Sequence, residues 1–147
     1  ETGAILRYLA ARYAKAPFWP EDLARRAQID KWAEWAKINI AMNFTAPIFW
    51  QVVRTAPEKR DEGAVARAMT ILGAKLDIAE VRLGHDAFLA GDALTLADIQ
   101  FGHVLYRYFD IGIDRPDRPS LRRYYDRLAD RPAFREHVMV SYEELRP

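Results

Sequence analysis

The stretch that decides the fold is Phe88–Ile99, FLAGDALTLADI, a loop followed by the start of a helix. The Thr95 hydroxyl is suited to N-cap that helix, and Asp98, three residues on, can reach back to the backbone N–H of Thr95. Such a capping box contributes ~0.5–2 kcal/mol to stability. Thr95 and Asp98 are therefore predicted to start a buried helix, a structural role without chemistry of its own.

Helical periodicity continues on both sides of this stretch, and no segment alternates as a strand does. Pro47 removes a backbone N–H and crowds the preceding turn, so the longest helix should kink or break near Asn43. Gly84 is a candidate C-cap. The pattern predicts an all-α helical bundle, with helices at 3–13, 22–54, 58–83, 96–109 and 120–130 and a short helix opening at Pro132.

Composition narrows the classes of function. The 147 residues carry 22 basic and 21 acidic side chains, a net charge of +1, which gives no electrostatic footprint for nucleic acid or an acidic membrane surface. There is no cysteine, which fits a reducing cytoplasm and excludes a thiolate site within this chain. No apolar run approaches the ~20 residues that span a bilayer.

The residues alone offer no self-contained active site. His85, His103 and His137 fall in separate elements without metal-ligand spacing, and there is no glycine-rich phosphate loop. We expect no metal site and no catalytic residue within the chain. On residue types alone the chain is a helical domain of unassigned function.

Three stretches together carry a family resemblance. The Gly91-Asp92 turn followed by TLADI at 95–99 resembles the segment that opens the central helix of the glutathione transferase C-terminal domain. The first nine residues, ETGAILRYL, resemble the last helix of that family's thioredoxin-like N-terminal domain. PSL at 119–121 and RPAF at 131–134 resemble its closing helices. The chain is identified as a member of the family, of a bacterial type.

This resemblance implies a division of the chain. Residues 1–14 would be the last helix of the thioredoxin-like domain, 15–21 the linker and 22–147 the all-helical domain. The α/β thioredoxin-like domain itself is absent from this chain and is expected upstream. Tyr8, Phe18 and Trp19 are then expected to be exposed apolar residues.

The resemblance also implies a glutathione site at Glu1 and Thr2. A helix N-terminus and the Thr2 hydroxyl would hold the γ-glutamyl carboxylate, and Glu1 would pair with the ammonium. The alternative is that Thr2 is only an N-cap.

A second site is implied on the long helix, where Trp35, Asn39, Met42 and Asn43 recur at helical spacing. In the family this face lines the pocket for a hydrophobic electrophile. The alternative, that the tryptophans are simply core, remains open. Lys37 stands in a stretch where several classes place an acidic residue that reaches the partner subunit, which is a departure from the family pattern.

The function implied is glutathione conjugation to a small hydrophobic electrophile, in a cytoplasmic homodimer that pairs through helices 22–54 and 58–83. Glutathione is the expected co-substrate. The group that contacts its sulfur lies outside this chain in the family, so the chain by itself is expected to be inactive. The alternative functions are a non-catalytic interaction module of the same fold and an unrelated ligand-regulated bundle.

Overall fold

Helices account for all the regular structure of the chain, whose computed structural model describes residues 1–147. The all-α prediction is confirmed, and the only strand-like feature is an isolated bridge between Phe88 and Gly91. The α-helices are α1 Thr2–Tyr13, α2 Leu23–Trp35, α3 Met42–Phe44, α4 Gln51–Arg54, α5 Glu62–His85, α6 Leu96–Asp110, α7 Pro119–Ala129 and α8 Pro132–His137.

Helix α6 forms the centre of the bundle. Its buried residues include Phe101, Val104, Leu105 and Tyr108, and the helix packs against α1, α2 and α7. At Gly102 an added Cβ would lie 2.6 Å from the Leu128 side chain. A side chain at position 102 would therefore push α7 away from the central helix.

The start of α6 contains a capping box with Thr95 as N-cap and Asp98 at the third helical position. One Asp98 carboxylate oxygen accepts from the Thr95 N–H at 2.7 Å and from the Thr95 hydroxyl at 2.9 Å. The other oxygen accepts from the Leu89 N–H at 3.0 Å and the Tyr124 hydroxyl at 2.9 Å. Asp98 is only 1% exposed, so one buried carboxylate joins the preceding loop, α6 and α7.

The long helix is distorted in a different way from the prediction. It runs from Leu23 to Arg54 without a break, but two π-helical segments interrupt it, at Ala36–Ala41 and Thr45–Trp50. Pro47 lies in the second segment. The first segment precedes Pro47, so the missing proline N–H does not account for it. The helix does not break near Asn43, and π-helical segments lie on either side of that residue.

Two local predictions are corrected by the packing. Gly84 is not a C-cap, because α5 continues through it to His85 and Asp86 takes the cap position. Trp19 was expected to be exposed but is only 7% exposed, with the Arg26 guanidinium lying 5.3 Å from its ring centroid. Tyr8 is 63% exposed, as expected, and Phe18 is half-buried.

The carboxylate of Asp98 gives the first testable prediction. Asp98→Asn should lower the free energy of unfolding by about 3 kcal/mol. The side-chain NH2 group of asparagine would face the N–H and O–H groups that now donate to the carboxylate, and neither side would have an acceptor. Tyr124→Phe should lower it by about 1 kcal/mol, since the carboxylate keeps its other donors. Urea denaturation measures both.

The matched control is Asp92→Asn, which changes an exposed aspartate in the same loop and should shift the unfolding free energy by less than about 0.5 kcal/mol. Equal effects of the substitutions at positions 92 and 98 would show that the buried network does not stabilise the fold.

Candidate functional site

The N-terminal end of α1 presents unpaired hydrogen-bond donors. The N–H groups of Ala4 and Ile5 both donate to the Glu1 carbonyl at 3.1 Å. The N–H groups of Thr2 and Gly3 have no acceptor within the chain, and the Thr2 hydroxyl is exposed and makes no hydrogen bond. Free N–H groups and the positive end of the helix dipole favour a carboxylate ligand.

Glu1 stands beside these donors and is tied to the long helix. Its carboxylate accepts from the Lys37 ammonium at 2.8 Å, and Lys37 lies in the first π-helical segment. The hydrogen bond and the charge of Lys37 lower the pKa of the Glu1 carboxyl. Glu1 is thus an anion next to an anion-binding helix end, which provides complementary sites for an ammonium and a carboxylate.

A second link fixes α1 against α2. The Arg7 guanidinium donates to Asp30 at 2.7 Å and also pairs with Glu34. These hydrogen bonds are the main cause of a raised pKa for Arg7, against the effect of its partial burial. The helix that carries Glu1 and Thr2 is therefore held in register with the helix that carries the second candidate site.

The four residues proposed for the electrophile share one face of the long helix but differ in surroundings. Trp35 is half-buried and packs edge-to-face against Phe101 of α6, with ring centroids 5.9 Å apart. Asn39 is half-buried and its side chain makes no hydrogen bond. Met42 is 67% exposed. Trp35 therefore anchors this face to the core, while Asn39 and Met42 are free to contact a ligand.

Asn43 has a different set of partners. Its side-chain amide donates to the carbonyls of Asn39 at 2.9 Å and Ile38 at 3.3 Å. Both carbonyls belong to the first π-helical segment, in which the Met42 N–H bonds to Lys37 five residues back. Asn43 thus stabilises the distorted backbone, and its amide donors are already engaged.

The sequence reasoning missed two features near this face. Lys37 was noted only as a departure from the family pattern, yet it orients Glu1. A cavity of about 250 Å³ between the second π-helical segment and α6 is lined by Thr45, Trp50 and His103, and Leu145 from the C-terminal segment also borders it. Both features depend on contacts between residues that are distant in sequence.

The histidines do not form a metal centre. The 147 residues contain no group of three or more histidine, aspartate or glutamate side chains arranged to hold a metal ion. Burial lowers the pKa of His103, and the nearby Arg107 charge adds to that effect.

None of the helices is both long and apolar enough to cross a membrane.

Comparison with known proteins agrees with this architecture. Residues 40–132 match the family described as glutathione S-transferase, C-terminal domain. The chain is 35% identical to glutathione S-transferase GstB of Escherichia coli, covering 95% of this chain and 67% of that protein. It is also 30% identical to the E. coli disulfide-bond oxidoreductase YghU, covering 96% of this chain and 50% of that protein.

A solved structure supports the same conclusion. The theta class glutathione S-transferase of Xanthomonas axonopodis pv. citri, determined with glutathione bound, superposes with a TM-score of 0.89 at 39% identity. The match covers 96% of this chain and 73% of that one. The fold is that of the helical C-terminal domain of a glutathione transferase. The chain belongs to the glutathione S-transferase family.

The amide of Asn43 can be tested against that of Asn39. Asn43→Ala should lower the free energy of unfolding by about 1 kcal/mol, because two carbonyls lose a donor. Asn39→Ala, the matched control on the same face, should change it by less than about 0.5 kcal/mol. Thermal or urea unfolding of both variants makes the comparison. An equal loss in both would contradict a structural role specific to Asn43.

Proposed function

We propose that the intact protein is a glutathione transferase to which this chain contributes part of the glutathione site and one wall of the electrophile pocket. The observation that carries the proposal is the pairing at the start of α1, in a chain of this family. Free N–H groups of Thr2 and Gly3 lie beside the Glu1 carboxylate, which accepts a hydrogen bond from Lys37. The γ-glutamyl group of glutathione has the complementary carboxylate and ammonium.

In this arrangement glutathione is held by its γ-glutamyl end, away from the thiol of its central cysteine. Its γ-glutamyl carboxylate accepts from the Thr2 and Gly3 N–H groups and the Thr2 hydroxyl, and its ammonium donates to Glu1. Lys37 is a positioning residue, since it holds the Glu1 carboxylate against the helix end. The catalytic group that favours the thiolate, whose thiol has an unperturbed pKa of ~8.5, is assigned to the domain outside this chain. The chain alone should therefore lack conjugating activity.

The electrophile is proposed to lie against Trp35, Asn39 and Met42, with Asn43 shaping the backbone beneath them. An apolar wall with one free amide suits an uncharged, hydrophobic substrate. Displacement of a halide or thioether is the proposed reaction class. The glutathione sulfur forms a bond to the substrate carbon, and the halide or thiolate leaves with the bonding electron pair. We place this activity in cytoplasmic detoxification, as the family resemblance implies.

The glutathione site predicts the kinetics of two variants of the full-length protein. Glu1→Gln should raise the KM for glutathione roughly tenfold with a smaller effect on kcat, because a charge-assisted contact remote from the sulfur is lost. Lys37→Met should also raise this KM, by a smaller factor. Conjugation of glutathione to an aromatic halide, followed by absorbance, measures both.

Exposed residues outside the site provide controls. Glu21→Gln and Lys59→Met change the same charges at exposed positions and should leave the KM unchanged. A fall in KM for Lys37→Met would show that Lys37 competes with the ligand ammonium instead of orienting Glu1. Glutathione binding without conjugation of any halide would favour the non-catalytic interaction module.

We also propose that the protein is a homodimer that pairs through the long helix and α5. Helix α5 buries Val65, Leu72, Leu76, Ala79 and Leu83 in the core. Its opposite face is exposed but apolar, with Ile71, Ile78 and Val81 at helical spacing. A further exposed apolar residue, Ile38, lies on the long helix. A protein surface with apolar residues aligned along one helix face is suited to association.

A charge on that stripe should disrupt the dimer. Ile78→Glu in the full-length protein should shift sedimentation velocity from dimer toward monomer, because an unpaired carboxylate would be buried at the interface. Ala66→Glu adds the same charge to an exposed position on another face of α5 and should leave the dimer intact. A dimer that survives the change at Ile78 would place the interface elsewhere.

A further inference from the structure

A second polar cavity lies at the far end of α6, away from α1. It has a volume of about 390 Å³ and is bordered by the last turn of α6, the segment 111–118 and the first turns of α7. Its lining includes Tyr108 and Phe109 from α6 and the guanidinium-bearing residues Arg115, Arg118 and Arg122. None of these residues belongs to the glutathione or electrophile sites.

The charge around this cavity is unevenly distributed. Among the lining residues three arginines face a single carboxylate, that of the exposed Asp117. Two further carboxylates hold the outer sides of the arginines: Asp77 lies 2.8 Å from Arg118, and Asp126 lies 3.0 Å from Arg122. Neither of them lines the cavity. The residues that line the cavity therefore carry a net positive charge, which Asp77 and Asp126 compensate in part from outside the lining.

Arg118 is the buried member of the group. It is only 8% exposed, and it donates to Asp77 at 2.9 Å and to the Gly73 carbonyl at 3.0 Å. Its remaining terminal nitrogen, Nη1, is buried without an acceptor in good hydrogen-bond geometry, although the Tyr108 hydroxyl lies close to the guanidinium. A buried charge with an unpaired donor is costly, and a negative charge in the adjoining cavity would lower that cost through its field.

Arg115 and Arg122 each lie over an aromatic ring. The Arg115 guanidinium lies 5.5 Å from the Tyr108 ring centroid. Both of its terminal nitrogens donate to backbone carbonyls, one to Tyr108 at 3.1 Å and the other to Phe109 at 3.3 Å and Ile111 at 2.8 Å. The Arg122 guanidinium lies 5.1 Å from the Phe109 ring centroid, and its terminal nitrogens make no hydrogen bond. Because its hydrogen bonds hold the Arg115 guanidinium before a ligand arrives, binding requires little further ordering of that side chain.

We propose that this cavity binds a phosphate group, carried by a small organic molecule whose apolar part rests on Phe109. Guanidinium groups pair with phosphate oxygens in forked geometry. Arg122 supplies the direct contact through its free terminal nitrogens, and Arg115 and the buried Arg118 supply the positive field. The cavity is large enough for a phosphate with a small ring attached.

The test is a ligand-observed phosphorus NMR titration of the full-length protein at constant ionic strength. Phenyl phosphate should bind with a dissociation constant near or below ~1 mM, and inorganic phosphate several-fold more weakly, since it lacks the apolar part. Equal affinity for the two would assign the site to free phosphate and overturn the organic part of the proposal. No saturation by either up to about 10 mM would overturn it entirely.

Three variants distinguish binding in this cavity from attraction of the ligand by general surface charge. Arg122→Gln should weaken phenyl phosphate about tenfold, and Arg122→Lys, which keeps the charge but not the fork, should have an intermediate effect. Arg123→Gln removes the same charge from the next position of α7, outside the cavity, and should change the affinity less than twofold. An equal loss for Arg122→Gln and Arg123→Gln would show attraction by the surface as a whole.

Discussion

The structure depends above all on the ionised side chain of Asp98. Burying a carboxylate in a helical core is unfavourable unless donors replace its water, and here four donors do so, from Leu89, Tyr124 and both the backbone and the hydroxyl of Thr95. Burial raises the pKa of Asp98 while these donors act to lower it. Because the donors come from a loop, α6 and α7, the carboxylate is satisfied only when all three segments are in their native positions.

Aromatic packing connects the hydrogen-bond network of Asp98 with the candidate site. The Tyr124 ring, whose hydroxyl binds Asp98, stacks on Phe101 with centroids 5.7 Å apart. Phe101 in turn meets Trp35 edge-to-face on the long helix. Beyond Trp35 the helix widens into its π-helical segment, which presents Lys37 to Glu1. A residue that performs no chemistry thus sets the orientation of the helix on which both candidate sites depend.

The sequence predicted the parts of this arrangement that are local. A capping box spans four residues and helical periodicity repeats every turn, so the position of α6 and the all-α class follow from short windows of sequence. The π-helical segments do not, because the first is stabilised by Asn43 bonding back to Asn39 and has no proline as its signal. The contact between Lys37 and Glu1 was also not predicted. Lys37 reaches Glu1 across 36 positions of sequence, and only the packing of α1 on the long helix brings the two together.

The net charge of the chain also did not predict the structural roles of individual arginines. A balance of 22 basic and 21 acidic residues is compatible with a uniformly solvated surface, yet several guanidiniums act as links between segments. Arg82 donates to the Leu89 carbonyl at 2.8 Å, and Arg60 to the Val52 carbonyl at 2.9 Å. Arg82 and Arg60 also pair with Asp86 and Glu62, so their charges are compensated. Arg115 bonds only to backbone carbonyls, which carry no full negative charge, and its positive charge therefore stays uncompensated. Because Arg115 lies at the edge of a cavity beside Arg118 and Arg122, a link that holds the fold together also creates an attraction for an anion.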